Sequence, residues 1–211
     1  MSGQKSQKAL VLLTADKDTQ LTMKGLFSRP EALGIRPITA AFVVHPRRDP
    51  GVFRQGAEIL RPYIREARFA LVVLDREGCG REKLSREEIE EQIEKDMARN
   101  GWPGRSAAVA IDPELEIWAW TGDDQVAKIL GWEGNYASLE GWLTEKGFWS
   151  SRQLKPRCPK KALQAVLRRT KVPRSASLYK ELARAVKLDL CTDPAFHKLR
   201  RVLREWFGPG P

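Results

Sequence analysis

Carboxylates recur where short apolar runs end. The run Ala9-Leu10-Val11-Leu12-Leu13 leads to Asp16 and Asp18. Residues 69–74 are wholly apolar and close on Asp75, with Glu77 two places on; residues 107–111 run into Asp112, Glu114 and Glu116. If these runs are parallel strands, their carboxyl ends share one edge of the sheet, where α/β proteins bind ligands. Carboxylates gathered there repel unless a proton or cation intervenes. A hard divalent ion accepts one or two such oxygens and completes its shell with water and phosphate, which is the chemistry of metal-assisted phosphoryl transfer. Plainer roles exist for some of them. Asp112 reads as a helix N-cap, Asp18 as the start of a helix, and Glu77 as a solvated turn residue. Asp75, closing a strand directly, stands out.

Other reactive types are sparse. His45 follows a strand at Val43-Val44-His45-Pro46 and reads as a turn residue or a general base; His197 reads as a surface residue of a basic helix. Cys79 lies between two glycines with no histidine partner suggested by spacing. Neither a dinucleotide fingerprint, a Walker loop nor a serine elbow occurs. Bases cluster at Lys155, Arg157, Lys160 and Lys161, where Pro159 opens a helix whose start attracts anions. They suit a phosphate backbone, or else buttress the acidic edge from within. Of the seven tryptophans, Trp132 and Trp149 fall in loop-like context, and the rest lie in apolar patterns.

The elements that must position these groups alternate. Strands are expected at 9–14, 38–44, 69–74 and 107–111, and helices at 20–33, 53–67 (kinked by Pro62) and 85–100. Ser85 with Glu88 forms a capping box for the last of these. Continuous apolar strands separated by helices imply an α/β fold with a mainly parallel sheet covered on both faces. For residues 112–120 two readings compete: Leu115, Ile117 and Ala119 share one face of a possible strand, but Asp112-Pro113-Glu114 reads as a helix start, and the helix is favoured. Helices follow at 123–130, 139–146, 159–170, 177–186 and 194–207, the last capped by Asp193. Short connections suggest that residues 151–211 pack on the 1–150 body as a basic helical extension within one globular unit.

The 211 residues carry a net charge of +10, and the excess is confined to the end. Residues 151–211 hold sixteen Lys/Arg against four acids, whereas the first 150 hold 21 bases against 23 acids. Such asymmetry points to an anionic partner, nucleic acid first. Three dispersed cysteines argue against a disulfide framework and for a reducing cytoplasm. No apolar run reaches the length of a membrane span, and the first apolar run ends in Thr14-Ala15-Asp16-Lys17-Asp18, a poor cleavage site, so no membrane partner or signal peptide is expected.

The stretch Val72-Val73-Leu74-Asp75-Arg76-Glu77-Gly78 resembles the acidic strand end of TOPRIM domains. Ile111-Asp112-Pro113-Glu114-Leu115-Glu116-Ile117-Trp118 resembles the Pro-Glu-Leu-Glu-x-Trp segment of a TOPRIM-like family of bacterial defence islands. Gly34-Ile35-Arg36-Pro37, Leu130-Gly131-Trp132, Lys155-Pro156-Arg157-Cys158-Pro159-Lys160 and Cys191-Thr192-Asp193-Pro194-Ala195-Phe196 extend the likeness to small TOPRIM-like proteins of the methylation-associated anti-phage defence system. The resemblance implies a TOPRIM-like fold and a Mg²⁺ site, with Mn²⁺ as an alternative ion, held by Asp16, Asp75, Glu77 and Glu116. It also implies nuclease chemistry on DNA or RNA and other defence proteins as partners. Two departures go with it: Asp16 stands where that family has a glutamate, and Glu77 where it has an aspartate. They motivate a second expectation, a non-catalytic adaptor or sensor that binds nucleic acid or a defence partner. The sequence leaves the oligomeric state open.

Overall fold

The computed structural model describes residues 7–150 and 152–209; the first residues of the polar N-terminus and the end of the Gly-Pro tail lie outside them. Strand β1 (Lys8–Thr14) leads to helices α1 (Lys17–Phe27) and α2 (Pro30–Leu33), then to β2 (Ala40–Val44) and α3 (Arg48–Leu60). Next come β3 (Ala67–Asp75), α4 (Arg86–Arg99) and β4 (Ser106–Ile111). The remainder is helical: α5 (Asp124–Ile129), α6 (Tyr136–Glu145), α7 (Pro159–Thr170), α8 (Ala176–Ala185) and α9 (Pro194–Phe207), with short 3-10 turns between some of them.

The four strands form one parallel sheet in the order β2-β1-β3-β4. Side chains alternate between its two faces. Val11, Leu13, Val72 and Leu74 pack with Val52, Ile89, Ile93 and Met97 of α3 and α4. Leu10, Leu12, Leu71 and Val73 pack beneath α1 and the C-terminal helices, in a core that includes Leu163, Val166, Leu182, Phe196, Leu199 and Phe207. The basic third therefore completes one face of the sheet. It approaches closely at α1, where a Cβ added to Gly25 would stand 2.6 Å from the Lys180 carbonyl oxygen; only glycine permits that helix contact.

The outer edge of β4 is closed by acids from α4. Ala108 N–H donates to Glu94 (2.9 Å) and Ala110 N–H to Glu90 (3.0 Å). Lys198 of α9 and Arg86 neutralise Glu90, which is buried. An edge paired in this way offers no template for another strand.

Three local expectations need correction. The first helix starts at Lys17, because Asp16 caps it by accepting from Thr19 N–H and Oγ (both 2.9 Å), and it stops before Pro30, which disfavours helical backbone in the residue before it. The second helix starts five residues early, at Arg48, and Pro62 sits in a separate 3-10 turn after it. Asp112 is not an N-cap. Arg76 N–H donates to the Ile111 carbonyl (2.7 Å) and Glu77 N–H to that of Pro113 (2.9 Å), so extended pairing continues and the turn Leu115–Trp118 begins after Glu114 instead.

Candidate functional site

The chain leaves β1 for β2 on one side and β3 for β4 on the other. The carboxyl ends of β1 and β3 thus flank the point where the strand order reverses, the usual place for a ligand crevice. A cleft of about 610 Å³ opens there. Asp16, Asp49, Asp75, Glu77 and Glu114 line its acidic side, and Arg47, Arg48, Lys160 and Lys161 its basic side.

Each acid is held differently. Asp16 spends one oxygen on capping α1. Asp49, in the first turn of α3, accepts from the Asp75 backbone N–H at 2.8 Å. Asp75 has a side-chain Oδ1 that is enclosed without any hydrogen-bond partner, an arrangement that costs free energy unless something fills it. Burial, then the charges of Asp49, Glu116 and Asp16, push the Asp75 carboxyl well above the usual aspartate range, with Lys160 opposing. Asp49 is raised as well, mainly by burial. Glu114 is raised by burial against the opposing N–H of Lys160, which donates to it at 3.0 Å. Glu77 is exposed at the rim.

Glu116 takes another position. It is buried behind the cleft, accepts from Tyr179 Oη at 2.7 Å and lies 3.8 Å from Arg174. Arg174 also pairs with Asp18 at 2.5 Å. Burial, followed by Glu116, raises the Tyr179 phenol, so it stays a donor. Of the four acids expected to share a site, Asp16, Asp75 and Glu77 line the cleft, while Glu116 lies behind it and acts on it through space. Among the described residues, no three His, Cys, Asp or Glu side chains converge into a ready-made metal cage.

The four expected phosphate-binding bases also divide. Lys155 turns inward and donates to the Ile117 carbonyl at 3.0 Å. Lys160 stands 3.5 Å from Glu114; burial works against its charge, but Glu116, Glu114 and Asp75 outweigh that and raise its pKa. Arg157 and Lys161 are exposed. Lys160 buttresses the acidic edge, Lys155 ties down the turn at Ile117, and Lys161 is the expected base left free at the cleft mouth.

Asp49 was not legible as a site residue, because Arg47-Arg48-Asp49-Pro50 reads as a polar helix start; only the strand order brings it beside Asp75. His45 is buried, accepts from Arg47 N–H at 3.0 Å and is a turn residue outside the cleft lining. Cys79 is buried in the core with its thiol pKa raised mainly by burial, which removes it as a nucleophile. Trp149, expected in a loop, is buried edge-on against Trp120; Trp132 keeps partial exposure. All three cysteines are free, and no helix among the described residues is long and apolar enough to cross a membrane. No protein-family model, curated protein or solved structure matches this chain.

Proposed function

We propose that the chain is a TOPRIM-like, Mg²⁺-dependent phosphoesterase that cleaves nucleic acid in cytoplasmic anti-phage defence, together with other defence proteins. One observation carries the reading: the enclosed, unpartnered Oδ1 of Asp75 in an acidic cleft at the switch point of a parallel sheet. The two stretches whose wording resembles TOPRIM-like proteins, 72–78 and 111–118, border this cleft.

The donors fit an ion that brings most of its own shell. Asp75 offers an unused oxygen, and Asp16 has one oxygen not engaged in capping. Two carboxylates and no closed cage match the preference of Mg²⁺ for retained waters and substrate phosphates. When bound, the ion supplies Lewis acidity toward a phosphoryl oxygen. The chain supplies the rest. Asp75 and Asp16 fix the donor positions, Lys160 moderates the carboxylate repulsion, and Lys161 with Arg47 and Arg48 attracts the phosphodiester. Glu77, exposed at the rim, would orient a water. In the Asp75→Asn variant, Mg²⁺-dependent cleavage of a labelled oligonucleotide is expected to fall at least a hundredfold, with the circular-dichroism spectrum unchanged. Undiminished cleavage would contradict the assignment.

A second reading, a non-catalytic adaptor, is favoured by the sequestration of Glu116 behind Tyr179 and Arg174. It predicts nucleic-acid binding without any divalent requirement and no cleavage under Mg²⁺ or Mn²⁺.

A further inference from the structure

Residues 155–180 contain nine Lys/Arg and no acid. Three of the nine are satisfied within the fold: Lys155 by Ile117, Lys160 by Glu114 and Arg174 by Asp18. Lys161, Arg168, Arg169 and Lys171 are exposed, and none has an ion-pair partner among the described residues. Their spacing orders them. Lys161, Gln164, Arg168 and Lys171 recur three and four residues apart from the start of α7 to its C-cap, which sets them along one helix face. At 1.5 Å per residue the stripe is about 15 Å long. It starts at the cleft mouth, which Lys161 lines, and ends in a groove of about 390 Å³ formed by Gln164, Arg168, Lys171 and Arg174.

An aromatic side chain stands at the far end. Gly131 takes a left-handed backbone (φ 69°) and lies so close to the α7–α8 connection that a Cβ there would be 2.7 Å from Val172 Cγ2. That approach puts the partly exposed Trp132 in a cleft of about 260 Å³ lined by two bases, Arg169 and Lys171, against one acid, Glu133. Its ring is held by Trp142 (centroids 5.2 Å apart) and by its indole N–H donating to Ser138 at 3.0 Å. A cationic groove with a fixed aromatic platform is the arrangement that binds single strands, whose unpaired bases can stack.

We infer that α7 is the track of a single-stranded nucleic acid, with Lys161, Arg168 and Lys171 along its backbone, Trp132 stacking a base, and one end of the strand delivered to the acidic cleft. The inference rests on the proposed function for that destination; strand binding itself stands apart from metal chemistry.

The test is fluorescence anisotropy in EDTA with a labelled oligothymidylate of about 20 nucleotides, enough to exceed one site. The paired substitution Arg168→Glu with Lys171→Glu is expected to weaken binding at least tenfold. It should also flatten the slope of log affinity against log salt by about 1.4, at roughly 0.7 per phosphate contact on a single strand. Trp132→Ala is expected to cost about tenfold or more, and Lys95→Glu, an exposed base on α4 away from the track, should bind like the wild type. Unchanged affinity in the paired variant would overturn the track. Equal competition by a duplex of the same length would overturn the single-strand assignment, and equal competition by polyglutamate would reassign the stripe to an acidic protein. If strand binding follows the prediction while Asp75→Asn still cleaves, the track stands and the metal-site reading falls.

Discussion

At the scale of single residues, Asp75 carries the most information. Its carboxyl is enclosed, partly unpaired and surrounded by other acids, so the folded chain holds its proton to higher pH than the unfolded chain does. The sign of the linkage follows. A raised acid contributes stability below its unfolded value, near 3.9, and that contribution is lost as pH rises through the folded value. Asn keeps the shape and removes the charge. The melting temperature of Asp75→Asn should therefore match the wild type near pH 4 and exceed it increasingly toward pH 8, both in EDTA. Taking the difference between the two proteins cancels other titrations, including that of His45, whose lowered pKa acts in the opposite direction. A difference that shrinks with pH would show that Asp75 is stabilised as a carboxylate by partners.

At the scale of elements, a close helix contact joins the two compositional halves of the chain. Gly25 lets α1 meet α8, and α8 supplies the Tyr179 that holds Glu116. Gly25→Ala is expected to destabilise the fold by about 1–3 kcal/mol through overpacking, measured by urea denaturation; a gain in stability, as for a helix glycine with free space, would refute the close packing. The same scale explains what the sequence disclosed. Helices α7 and α9 matched their expected bounds because Pro159, Pro194 and the Asp193 cap punctuate them locally. Helix α4 began at its capping box for the same reason. The turn after β4 was misread because its start depends on pairing between residues 76–77 and 111–113, a nonlocal contact with no periodic signature. Asp49 carries no local signal on similar grounds, and neither does the lack of ion-pair partners at Arg168 and Lys171 among the described residues, which depends on where the rest of the fold places its acids.

At the scale of the whole molecule, one apolar cluster holds strands from the first 150 residues together with helices from the last 61. Charge divides the chain where packing does not. Thermal unfolding of the full chain should be a single transition by both far-ultraviolet circular dichroism and tryptophan fluorescence, and removal of residues 151–211 should leave a chain that binds a hydrophobic dye; two separated transitions would contradict the shared core. This union also gives the site its character. The body contributes the acids of the sheet edge, and the basic third contributes the cations that moderate and extend it. The most direct measurement is a calorimetric titration of the wild type and of Asp75→Asn with Mg²⁺, in the presence of a non-hydrolysable single-stranded oligonucleotide. A saturable heat in the wild type that vanishes in the variant is the predicted result. Identical heats in both, or none in either, would contradict a metal site at Asp75.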